Sequence, residues 1–99
     1  MAEKMSEAKK MEIMHAWLAD VSQALELDEG IATRVAPPML DLIRDVAHGP
    51  SRPGAPMTAM LVGLAAGLGA QSADTDAIAE RITEGVRTVH AVIEERSAH

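Results

Sequence analysis

From Met57 to Ala70 the chain reads MTAMLVGLAAGLGA, fourteen residues without a single charge. Wound as a helix at about 100° per residue, Met57, Met60, Leu61, Leu64 and Leu68 share one side, and Ala59, Val62, Ala66 and Ala70 share the other. A helix that is apolar all round must be covered all round, inside the fold or at a partner interface. At fourteen residues the run is shorter than the roughly 20 needed to span a bilayer. Other helices of the same chain, or of a partner, must therefore wrap it. Gly63, Gly67 and Gly69 each cost about 1 kcal/mol relative to Ala in a helix interior. Close approach of another backbone would offset that cost, so the small side, Ala59, Val62, Gly63 and Ala66, is the expected interface.

The rest of the chain supplies helical partners. Its 99 residues suffice for one domain and are 47% hydrophobic, yet they include no Phe, no Tyr, one Trp and seven Met. A sheet draws on aromatic and β-branched residues, whereas an Ala/Leu/Met/Glu-rich chain favours helix. The fold class expected is all-α, a compact four-helix bundle-like single domain over residues 11–96, with residues 1–10 as a flexible N-terminal extension.

Periodicity predicts four helices. The first runs from about Met11 to Leu27, or from near Ser6, with Met14, Trp17, Leu18, Val21 and Leu25 in one stripe and Gly30 as its stop. The second is short: Pro37-Pro38 suits its start, since proline is tolerated in a first turn, and Gly49-Pro50 ends it. The third spans Pro56 to Gln71. The fourth is capped by Ser72 or Asp74 and carries Ile78, Ile82, Val86, Val89 and Ile93 on one face. Trp17, the one large aromatic, is expected to anchor the core, the alternative being an exposed interface residue.

Charge and composition exclude several functions. Nine basic residues against fifteen acidic give a net charge of −6, which opposes the phosphate backbone of a nucleic acid. The lack of Tyr and Phe removes the stacking surface that single strands use. With no cysteine, thiol catalysis and thiolate zinc sites are absent. MAEKMSEAKK lacks the apolar core of a signal peptide, so a cytoplasmic chain without membrane contact is expected. No serine sits in a G-x-S-x-G setting. His15, His48, His90 and His99 form no H-x-x-x-H or H-E-x-x-H pair, and His90 reads as part of a solvated helix face. Neither a catalytic residue, a metal nor a cofactor is expected.

The connector AHGPSRPGAP, residues 47–56, is where a site would lie. His48 stands where the second helix's last carbonyls need donors. Arg52, between Pro50 and Pro53, is the only charged side chain between Asp45 and Asp74. Two roles are open to it. It can clamp the loop through carbonyls or through Asp41 or Asp45. It can instead hold a phosphate or carboxylate together with His48 and the amides near Met57 and Thr58 at the next helix's N-terminus.

AWLADVSQALELD, DLIRDVAHG, RPGAPMT and LVGLAAGLG, in that order and spacing, resemble a family of small helical proteins from high-GC bacteria. The match runs from Trp17 to Gly69. Glu26 stands in a position often glycine in that family, and Pro37-Pro38 is a second departure. Members of the family occur beside, or fused to, the nucleotidyltransferase that makes molybdopterin guanine dinucleotide. The resemblance implies a non-enzymatic accessory role in molybdenum-cofactor biosynthesis, with that nucleotidyltransferase as protein partner. A small anionic-ligand domain using the 48–58 loop and a homodimerising structural protein are the alternatives.

Overall fold

Four α-helices, α1 (Glu7–Ala24), α2 (Glu29–His48), α3 (Gly54–Gly69) and α4 (Thr75–Ser97), follow one another in a computed structural model that describes residues 6–71 and 74–97. There is no strand among the described residues, and the all-α class expected from composition holds. Residues 1–5, Ser72 and His99 lie outside the described residues.

The start of α1 is set by Ser6, whose Oγ accepts from the Lys9 amide at 3.1 Å, an N-cap contact. Residues 7–10, expected to fray, are therefore the helix's first turn. Its end also differs from expectation. Glu26, at φ 59°, is the only described non-glycine residue in the left-handed region. The Leu27 amide returns to the Ser22 carbonyl at 2.8 Å and the Glu26 amide to that of Gln23 at 3.1 Å. This is the Schellman pairing that normally carries glycine. Gly30 has another place: it lies in the first turn of α2, its amide donating at 2.8 Å to the capping carboxylate of Asp28.

The second helix is long, and Pro37 and Pro38 lie inside it, which corrects the short helix expected. Interior proline costs about 3 kcal/mol through a lost hydrogen bond and a ring clash. Here burial offsets it, because the stripe runs in register through both prolines, with Val35 and Ala36 buried upstream and Leu42 and Val46 downstream. Leu42 is 0% exposed. As expected, Asp74 receives the Ala77 amide at 3.2 Å and starts α4.

The core is shared by three helices. Val35, Leu42 and Val46 of α2 meet Ala55, Val62 and Ala66 of α3 and Ala79, Ile82 and Val86 of α4. The small side of α3 thus faces inward, and its fit is close. A Cβ added at Gly85 would come within 3.0 Å of Val62 Cγ1. The first helix packs on α2 alone and contributes only Ser22 as a buried residue. The result is a flat molecule of 46 × 39 × 18 Å.

Candidate functional site

The 48–58 connector uses up its own donors. A helix leaves its first four N–H groups unpaired, which at α3 are those of residues 53 to 56. Pro53 and Pro56 have none. The Gly54 amide donates to Ser51 Oγ at 3.0 Å, and the Ala55 amide to the Arg52 carbonyl at 3.2 Å. The helix starts at Gly54, earlier than expected, so Met57 and Thr58 sit beyond that turn. Thr58 turns its hydroxyl back to the Gly54 carbonyl at 2.8 Å. No free amide remains there for an anion.

Arg52 is not a clamp either. Its exposed side chain makes no hydrogen bond or ion pair among the described residues. The carboxylates expected to hold it are engaged elsewhere: Asp41 with Arg44 at 3.2 Å and Asp45 with His90 Nε2 at 3.0 Å. His48 is exposed too, and among the last carbonyls of α2 that of Val46 takes the Gly49 and Ser51 amides at 3.3 and 3.1 Å. Gly49 is required at this exit, since a Cβ there would lie 2.9 Å from the Asp45 carbonyl.

The outer face of α3 is the molecule's most distinctive surface. Met57, Met60, Leu61, Leu64 and Leu68 are between 52% and 79% exposed. They amount to roughly 550 Å² of apolar surface, at the upper end of the largest patch an ordinary monomer shows. Of the residues expected to form an interface, Val62 and Ala66 are buried in the core and Ala59 is half-buried, while Gly63 is exposed. The correction has a steric cause. Only the small side lets α3 approach α2 and α4 closely, so the large side is left outside. Gly63 and Gly67 flank that large side, and a Cβ at either would meet nothing within 4 Å. Beside Leu61, a groove of about 310 Å³ runs between α3 and α4, lined by Thr58, Val62, Ala65, Gly85 and Thr88.

Trp17 lies on the outside of α1, 64% exposed, rather than in the core. Its neighbour one turn back, Ile13, is exposed as well. On another side of α1, Met14 and Leu18 line a groove of about 300 Å³ with Val35, Ala36, Met39, Leu40 and Ile43 of α2. A largely exposed Trp is the kind of residue that anchors protein interfaces.

Polar chemistry is sparse and structural. No group of three His, Asp or Glu is placed to hold a metal among the described residues. Asp28 accepts from the Gly30 amide and from the Thr75 hydroxyl, each at 2.8 Å. The first of these and then the second hold its carboxyl below the usual carboxylate range. Arg34 pairs with Asp76 across the same junction. Arg81 lies over Gly69 and donates Nε to the Ala66 carbonyl at 3.3 Å, closing the end of α3. Sequence reasoning missed these ties. The Asp28 cap had a local signal, an Asp just ahead of a helical stripe. The Arg81–Ala66 and Asp45–His90 contacts had none. No helix among the described residues is long and apolar enough to cross a membrane.

What fold and surface define together is a small all-α domain with an apolar helix face turned outward. The chain belongs to the family described as Domain of unknown function (DUF6457), whose model matches residues 9–99. No curated protein and no solved structure matches it.

Proposed function

We propose that this chain is a non-enzymatic helical accessory module that binds protein, and that the outer face of α3 is its principal contact. One observation carries the reading: five large apolar side chains on one face of a helix stand in solvent, although the same helix has a small face that packs inward. Burying that face is worth roughly 25 cal/mol per Å², and no element among the described residues covers it. Exposed Trp17 on α1 adds a second anchor, and exposed Arg52, without a partner among the described residues, adds a cation for a directional contact. The family resemblance points to the nucleotidyltransferase of molybdenum-cofactor biosynthesis as the heterologous partner.

Calorimetric titration of the purified nucleotidyltransferase with this chain at tens of micromolar tests the reading. Binding heat that is lost with Leu64→Glu and weakened with Trp17→Ala, both variants remaining helical, is the expected result. Absence of heat with the wild-type chain removes this partner.

A further inference from the structure

Resting on the reading that the outer α3 face binds protein, we infer that in the chain on its own, with no heterologous partner present, the occupant of that face is a second copy of this chain, the two α3 helices packing about a two-fold axis. An isologous contact needs a patch that complements itself, and this face does so. Met57, Met60, Leu64 and Leu68 form a ridge, and Gly63 and Gly67, one turn apart beside it, form a notch. The ridge of one copy fits the notch of the other.

No described residue gives the notch a reason. A side chain at Gly63 or Gly67 would meet open space, so both glycines weaken their own helix without letting any element of this molecule approach. Both are explained when a second backbone lies against them.

Charge and area agree. Each copy carries −6, which should keep copies apart, yet no charged residue lies between Arg52 and Asp74. Two copies joined at α3 thus meet through the one long segment where like charges do not face each other. Two such faces expose at most about 1,100 Å² between them, so only nearly complete burial of both reaches the roughly 1,000 Å² a specific interface requires.

Sedimentation equilibrium of the full chain from 5 to 500 µM tests this. Wild type is expected at twice the 10.5 kDa chain mass. Leu64→Glu and Met60→Lys, checked for helicity by circular dichroism, are expected at the single-chain mass. Gly67→Ala is expected to raise the dissociation constant at least tenfold while raising the monomer's unfolding temperature, opposite shifts that a purely intrachain role does not produce. A wild-type monomer at 500 µM overturns the inference, and so does a dimer that survives both charge substitutions. If the wild type is monomeric yet gives Leu64-dependent heat with the nucleotidyltransferase, the dimer falls and the broader reading stands. If it is monomeric and gives no heat, both fall.

Discussion

Thr75 donates its hydroxyl to a carboxylate oxygen of Asp28 at 2.8 Å, joining the α1–α2 turn to the start of α4. The other carboxylate oxygen takes the Gly30 amide, so one side chain caps α2 and fastens α4 at once. Both bonds favour the ionised acid. A carboxyl held below its usual value stabilises the fold above its unfolded-state pKa, and that contribution is lost as pH falls through the folded value. The expected outcome is a loss of stability on acidification below about pH 4 that is smaller in Asp28→Asn. Chemical denaturation at pH 6, 4 and 3 checks it. Equal slopes in the two proteins would detach this residue from the acid response.

Glu26 occupies the left-handed position that closes α1. A non-glycine residue there costs roughly 1–2 kcal/mol, less what glycine loses by its freedom in the unfolded chain. Glu26→Gly should therefore stabilise the protein by about 1 kcal/mol, read as a higher midpoint in urea. An unchanged or lower midpoint would mean that the turn accommodates the side chain without strain.

Gly85 and Gly63 should respond oppositely to the same substitution. Gly85→Ala forces Val62 to move by a few tenths of an ångström inside the core, and overpacking of this kind costs about 1–3 kcal/mol. Gly63→Ala enters open space on a helix and should stabilise the monomer by up to about 1 kcal/mol. Thermal unfolding of both variants at low protein concentration gives the comparison.

The extent to which such contrasts were legible in the sequence varies along the chain. The stripe of α4 and the capping role of Asp74 follow from spacing and residue type alone, whereas the α1 stripe leaves Trp17 and Leu25 in solvent. Pro37-Pro38 misleads because proline's local preference for a first turn is overridden by a buried stripe that runs from Val35 to Val46. Glu26 gives no stop signal, as its conformation comes from the Schellman bonds around it. For α3, periodicity shows that both sides are apolar, but which side faces inward depends on the closeness demanded by Gly85 on another helix. Trp17 fails for a similar reason: α1 has one neighbour, and its stripe is wider than the contact. At the candidate site, the connector's residue types stood out, but the loss of its amides to Ser51, Arg52 and two prolines is a matter of three-dimensional bonding.

Arg52→Ala should leave stability within about 0.5 kcal/mol of wild type, as expected for a surface side chain without partners. A larger loss in a denaturant titration would restore a clamping role that its present surroundings do not supply. Leu42→Ala provides the opposite limit: at 0% exposure, it should cost about 2–5 kcal/mol.

The single neighbour of α1 gives this molecule a natural parting line. The hydrophobic cluster is complete within α2, α3 and α4, so α1 can detach while the rest stays folded. Its amides should exchange with solvent through a partial opening that costs less than global unfolding. Such an opening widens the groove that Met14 and Leu18 now line together with α2, and the left-handed turn at Glu26 is the point about which it would swing.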